Sequence, residues 1–299
     1  MLQEETIKAK WHMPIQDRVR DYSQLLKPNL SFMVVFSSVI GYLLAPGIHF
    51  AWKEVLTLFA GGILVTGGAN TINQILEREG DALMKRTMNR PLPTGRISPL
   101  EAWIIAALAG FVGALLIGIT FNPLAGALSF LSLLLYGFAY TPMKRVHPVA
   151  VLIGAIPGAL PPMLGWVAAT GSLGVGGWVL FLIQFFWQFP HYWAIGWVGY
   201  DEYKKAGISM LPSQERTSKF TALQCMFYSL ILVPMAVVPR MVGMTGNIGM
   251  WVTMAAGVFY FAASLNFYRR NDHVSARRVM FASFIYLPTV LLALLIDKI

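Results

Sequence analysis

Residues 55–96 read VLTLFAGGILVTGGANTINQIL and then, without a break, EREGDALMKRTMNRPLPTGR. The first part, Val55 to Leu76, carries no charged side chain. As a helix at about 1.5 Å per residue it would reach about 33 Å, enough to cross a hydrocarbon core of about 30 Å. Charge begins at Glu77, as at a membrane surface. The same alternation of long apolar run and short polar link recurs along the chain. Nine runs are read as spans: Leu30–Leu44, Val55–Leu76, Leu100–Phe121, Leu124–Tyr140, Pro148–Ala168, Val175–Val198, Phe220–Val238, Ile248–Phe267 and Val279–Ile296. Apolar residues make up 56% of the chain and charged residues 12%, against about 45–50% and about 25% in soluble domains. One soluble core cannot absorb that excess, and a disordered chain has the opposite composition. No stretch alternates with period two, which argues against a barrel.

The fold expected is all-α, a polytopic membrane protein of nine transmembrane helices. The net charge of +9 would suggest nucleic acid in a soluble protein. Here 20 of the 23 Lys and Arg residues fall on one side of the alternating topology and 3 on the other. That bias places the N-terminus and the basic loops in the cytoplasm of a cell (inner) membrane, with lipid as partner and no nucleic acid. Residues 1–27 are polar, lack an apolar region of signal-peptide length, and are read as an uncleaved cytoplasmic segment before a domain over 28–299. Acidic loops follow spans two and six, and basic pairs follow spans four (Lys144, Arg145) and eight (Arg269, Arg270). The offset of four helices predicts two pseudo-repeated four-helix units plus a ninth helix around a central cavity. Pro157, Pro161 and Pro162 should kink the fifth span, and neighbouring helices must then satisfy the carbonyls they free. The single Cys225 excludes an internal disulfide and a Cys-pair zinc site, and reads as packing.

If the second span continues as a helix, Asn73, Glu77 and Asp81 share one face at i, i+4 and i+8. Three oxygen donors at a helix end suit a hard cation such as Mg2+, which binds through few carboxylates, waters and phosphate oxygens. Lys85, Arg86 and Arg90 follow and can hold phosphate charge. A solvated helix end would look similar. The segment after span six carries Asp201 and Glu202 in the corresponding place, and Tyr140 with Lys144 and Arg145 adds cations on the same membrane face. Two acidic ends across one cavity fit a diphosphate head at the boundary and an apolar tail in the bilayer, which describes an isoprenyl diphosphate. A secondary transporter also has repeats and Pro-broken helices, but its ionisable groups would stand near the bilayer centre; these stand at one face.

The motif Asn73-Gln74-x-x-Glu77-x-x-x-Asp81-x-x-Met84-x-Arg86-Thr87-x-x-Arg90-Pro91-Leu92 resembles the first acidic motif of the UbiA superfamily of intramembrane prenyltransferases. Tyr140-Thr141 with Lys144-Arg145, the stretch Gly154 to Gly165, Trp187 to Tyr192, and Asp201 to Pro212 extend the resemblance from about Lys27 to the C-terminus. Glu77 stands where relatives of the quinone pathway usually carry Asp, and so favours the haem branch over an aromatic quinone precursor as acceptor. The resemblance implies transfer of farnesyl from farnesyl diphosphate to a vinyl group of haem B, with a haem A synthase or oxidase assembly factors as further partners. It implies catalytic roles for Asn73, Glu77, Asp81, Tyr140, Lys144 and Asp201. Asn73, Glu77, Asp81 and Asp201 would hold Mg2+. Substrate binding falls to Lys27, Lys85, Arg86, Arg90, Arg145, His191, Tyr192, Glu202 and Lys205. The second motif departs from the wider superfamily: Lys205 stands where a second Asp is common, so the metal shell on that side rests on Asp201, with Glu202 beside it.

His191 lies in the sixth span among aromatics, and an ionisable ring at that depth needs a partner. Contact with haem is the favoured expectation, and a hydrogen bond that orients the helix is the alternative. Phe185, Phe186 and Trp187 read chiefly as packing. His12, His49, His147 and His273 read as solvated.

Overall fold

A computed structural model describes residues 14–213 and 215–299. Residues 1–13, including His12 and half of the expected N-terminal segment, lie outside the described residues. The order of elements is α1 (Ile15–Leu26), α2 (Pro28–Leu44), α3 (Trp52–Asp81), α4 (Pro99–Thr120) and α5 (Pro123–Leu134), which runs on through a π-helical segment, Leu135–Tyr140, into Thr141–Met143. Then come α6 (Ala150–Thr170), α7 (Val175–Val198), α8 (Tyr200–Lys205), α9 (Phe220–Met235), α10 (Val238–Met241), α11 (Asn247–Arg270) and α12 (His273–Ile296). Among the described residues there is no strand, only an isolated bridge between Thr245 and Lys298.

Each expected span coincides with a long helix. Among the described residues, seven helices are long and apolar enough to cross a membrane, or eight if α1 and α2, bent by 45° at Lys27, count as one span. The helix α7 is 24 residues long but is not among them, because Gln184, Gln188, Pro190 and His191 lower its hydropathy. Those residues face inward. Exposed Leu, Ile, Phe and Val side chains cover the outside, among them Leu108, Phe111, Ile119, Phe259 and Ile285, as a lipid-facing surface requires.

Helices α2 to α5 form the first unit, and α6, α7, α9 and α11 the second. The units meet where α2 and α5 pack on α6, and α12 closes the ring against α7, α11 and α2. Close approach of α2 and α6 depends on glycine: a Cβ on Gly41 would overlap the Pro162 carbonyl, and one on Gly165 the Ser38 carbonyl. Without a hydrophobic effect between helices in lipid, such close backbone packing is a main source of association. Helix α6 runs unbroken through its three prolines. Pro161 and Pro162 deprive the Pro157 and Gly158 carbonyls of their helical donors, and side chains replace them. Ser132 Oγ donates to Pro157 O at 3.2 Å, and Gln184 Nε2 to Gly158 O at 2.7 Å. At the far end of the ring, Lys298 Nζ donates to the carbonyls of Leu43 and Ala45 at 2.7 Å, tying the C-terminus to the end of α2.

Candidate active site

Helix α3 continues five residues beyond the apolar run, to Asp81, and so carries Asn73, Glu77 and Asp81 up one face. All three are buried, at 3%, 6% and 1% exposure. The Glu77 carboxylate accepts from Lys144 Nζ at 2.9 Å, and Asp81 accepts from Arg90 Nη1 at 2.7 Å. Asn73 Nδ2 donates to Thr141 Oγ1 at 3.2 Å, leaving its amide oxygen as an acceptor. Burial opposes the charge on Lys144, but the adjacent Glu77 carboxylate and its hydrogen bond outweigh this and hold the pKa above the ordinary lysine value. The ammonium therefore stays protonated at neutral pH. A buried pair of this kind adds little net stability, since desolvation consumes much of the attraction. Its position points to function instead.

The π-helical turn explains how Lys144 arrives there. Pro142 has no N–H for the Phe138 carbonyl, and the ladder widens over Leu135–Tyr140, a distortion common at functional sites. The Tyr136 and Tyr140 rings then meet at 5.2 Å, tilted by 50°, and the Lys144 ammonium lies 4.4 Å from the centre of the Tyr140 ring. Gly154 makes room for that ring, since a Cβ there would fall 2.5 Å from Tyr140 Cδ2.

One turn inward from Asn73 and Tyr140 lies a cavity with about 1150 Å³ of open space, part of it continuous with the surroundings. Its wall includes Val65, Asn70, Tyr136, Pro161, His191 and Leu287, and it is predominantly apolar. His191 and Tyr192 are both half-buried in this wall. His191 stacks on Trp187 at 4.8 Å, and its Nδ1 meets Ser283 Oγ at 2.7 Å. Ser283, on α12, is thus the partner that the ring needs. Gln188, a turn away, instead donates to the carbonyls of Ala155 and Gln184.

The remaining expected residues form a looser shell. Lys27, in the left-handed conformation at the α1–α2 bend (φ 47°), interacts electrostatically with Arg90, Lys144, Glu77 and Asp81. Lys85, Arg86 and Arg145 are exposed. Glu202 accepts from the Lys85 amide at 2.7 Å and from Lys205 Nζ at 2.8 Å. Those two bonds, Lys205's first, hold its carboxyl below the usual carboxylate range. Asp201 stands apart from the buried trio: its side chain is 76% exposed and pairs with Arg216 at 3.1 Å. Among the described residues no three Asp, Glu, His or Cys side chains gather as a metal cluster. The α3 donors are nonetheless all oxygens, which suits a hard ion that keeps waters and takes phosphate oxygens. Residues beyond the sequence expectation also line the cavity. Gln184 and Ser132 could have been suspected as polar groups inside apolar runs, and Tyr136 as the neighbour of Tyr140 one turn away. Ser283, behind the wall, carried the same signal within the run Val279–Ile296, but nothing in the sequence paired it with His191.

A helical ring with an apolar interior and charged groups at one mouth defines an intramembrane enzyme for an amphipathic anionic substrate. The UbiA prenyltransferase family matches residues 34–287, and the chain belongs to that family: it is a multi-pass membrane prenyltransferase. A Protoheme IX farnesyltransferase of Cytophaga hutchinsonii is 45% identical over 93% of this chain and 97% of its own. One of Flavobacterium johnsoniae is 39% identical over 97% and 98%. Among solved structures, a digeranylgeranylglyceryl phosphate synthase superposes with a TM-score of 0.77 at 20% identity, covering 94% of this chain and 98% of that one. A UbiA homologue from Archaeoglobus fulgidus bound to GPP and Mg2+ superposes with a TM-score of 0.66 at 18% identity over 92% and 99%. At these identities the likeness concerns the fold.

Proposed function

We propose that this enzyme transfers farnesyl from farnesyl diphosphate to a vinyl group of haem B and, with addition of water, yields haem O. The observation that carries the reading is the pair of buried contacts, Glu77 with Lys144 and Asp81 with Arg90, about two and three turns along α3 from Asn70 in the wall of an apolar cavity. The names and near full-length identity of the relatives support the choice of farnesyl and haem.

Asn73, Glu77 and Asp81, joined by Asp201, would hold Mg2+, and the bound ion supplies Lewis-acid neutralisation of the diphosphate. Lys144, Arg90 and Lys27 hold phosphate oxygens from within, while Lys85, Arg86 and Arg145 approach from outside. Glu202, bridging Lys85 and Lys205, holds the second loop against the first. As the C1–O bond of farnesyl breaks, diphosphate leaves with the electron pair, and the terminal vinyl carbon of haem B bonds to C1. The positive charge passes to the inner vinyl carbon, where water adds and loses a proton. Stabilising the leaving charge in a site shielded from water is the main catalytic contribution. Tyr140 and Tyr192 offer aromatic faces toward the developing cation, and His191 faces the porphyrin. The N-terminus and the charged mouth lie on the cytoplasmic side of the cell membrane. A haem A synthase or an oxidase assembly factor is the expected recipient of the product.

Membranes containing the enzyme, incubated with haem B, farnesyl diphosphate and Mg2+, should form haem O. Prenylation of an aromatic quinone precursor in place of haem B would overturn the acceptor assignment.

A further inference from the structure

The family match begins at residue 34, so α1 (Ile15–Leu26) lies outside it, yet α1 is bonded to both parts of the charged mouth. Asp21 is 2% exposed, and its two carboxylate oxygens accept from Arg96 Nε at 3.1 and 2.9 Å. The same guanidinium donates through Nη1 to Thr94 Oγ1 at 2.8 Å and through Nη2 to the Asn89 carbonyl at 2.9 Å. One Arg side chain therefore ties α1 to the loop that carries Lys85, Arg86 and Arg90. Leu25 of α1 is fully buried with Ile75 of α3, with Leu92 and Ile97 of the loop, and with Ala102 of α4.

The last turn of α1 is held from the other side. Gln74, adjacent to Asn73 and itself fully buried, donates through Nε2 to the Leu25 carbonyl at 2.8 Å and to the Gln24 carbonyl at 3.3 Å. Ser31 Oγ donates to the Leu26 carbonyl at 3.0 Å. These bonds satisfy carbonyls that a helix end leaves open. They also set the bend at which Lys27 turns toward Glu77, Asp81, Arg90 and Lys144.

We propose that α1 is a working part of the diphosphate site, with Asp21 and Arg96 as positioning residues that hold the cationic loop, and with it Lys27, over the carboxylates of α3. The physical reason is the shape of the loop. Residues 82–98 form turns and bends with no regular helix, so few contacts fix its cations. Arg90 is pinned by Asp81, but Lys85 and Arg86 are exposed. Without the Arg96 fork the loop keeps its charges and loses their placement. Misplacement weakens a multi-point anion grip far more than it weakens an apolar pocket.

This rests on the diphosphate reading above, and the test separates the two. Binding of inorganic diphosphate with Mg2+ is measured on the purified full chain, beside the KM for farnesyl diphosphate and for haem B. Asp21→Asn should weaken diphosphate binding about tenfold and raise the KM for farnesyl diphosphate to match, with the KM for haem B unchanged. Arg96→Lys keeps a charge for Asp21 but loses the bonds to Thr94 and Asn89, and should fall between wild type and Arg96→Ala. Wild-type diphosphate affinity in Asp21→Asn and Arg96→Lys would overturn the proposal. So would equal loss for both substrates that follows the melting temperature. If Asp21→Asn does not fold, Arg96→Lys decides alone by the same criteria. No diphosphate binding by the wild-type chain would instead remove the reading on which the proposal stands.

Discussion

The two acidic helix ends occupy corresponding places in the two units, yet they differ in almost every physical respect. At the end of α3, Glu77 and Asp81 have side chains 8% and 1% exposed, each locked to a cation from another segment. At the start of α8, Asp201 is 76% exposed and Glu202 32%, and of their partners Lys205 is exposed and Arg216 half-buried. Helix α3 passes through the surface as one rigid rod that the loop and the end of α5 cover. Helix α7 stops at Gly199, and a six-residue helix follows. One end is therefore preorganised, with desolvation already spent on placing charges. At the other, Asp201 must exchange Arg216 for a new partner before it can act on the site. Exposed pairs of that kind are worth about 0–1 kcal/mol, so the exchange costs little.

Breaking the preorganised end should have the largest effect. Glu77→Gln keeps the shape but removes the charge, and turnover should fall on the order of 10²–10³-fold, the scale of losing one electrostatic group in a closed site. Haem O formation across a Mg2+ titration checks this; near-normal activity would dissolve the contrast between the two ends. His191, in the cavity wall, comes next. His191→Ala should weaken haem B binding about tenfold, the scale of one lost contact, and shift the bound haem's absorption. Farnesyl diphosphate affinity should stay nearly unchanged. Equal loss of both, with a lower Tm, would mark the ring as a structural partner of Ser283.

The looser end should respond less. Asp201→Asn should raise the Mg2+ needed for half-maximal rate by about tenfold or less, in proportion to one exchangeable carboxylate, while turnover at saturating Mg2+ stays within a few-fold of wild type. Loss as deep as that of Glu77→Gln would show that the two ends are equivalent once substrate binds. The smallest effect is that of Glu202. Its carboxyl titrates below the ordinary value of 4.5 because Lys205 and the Lys85 amide hold the anion. Its contribution is complete above that value and disappears as the pH falls through the lowered one. The Tm of wild type and Glu202→Gln should differ slightly at neutral pH and converge in acid.

Much of this molecule is legible along the chain because a bilayer imposes simple rules. A helix must satisfy its own backbone and present apolar side chains, so span positions follow from local composition, and the proline-freed carbonyls of α6 could be foreseen as needing donors. The α3 trio was legible for the same reason: a spacing of four residues means one helical face wherever the helix goes. Lys144 and Arg90 were visible as neighbouring cations, but their pairing with Glu77 and Asp81 joins residues from separate segments.

Sequence alone determined the helical membrane fold, the charged mouth and the oxygen donors on one face of α3, because each is a property of a single element and its local period. Tertiary structure alone decided which of the two acidic ends is buried, that Ser283 is the partner of His191, and that Arg96 ties α1 to the loop. These are contacts across 9 to 92 positions of chain. They depend on how rods pack around a shared cavity and on where a π-helical turn or a left-handed bend aims one side chain, and no local pattern encodes that.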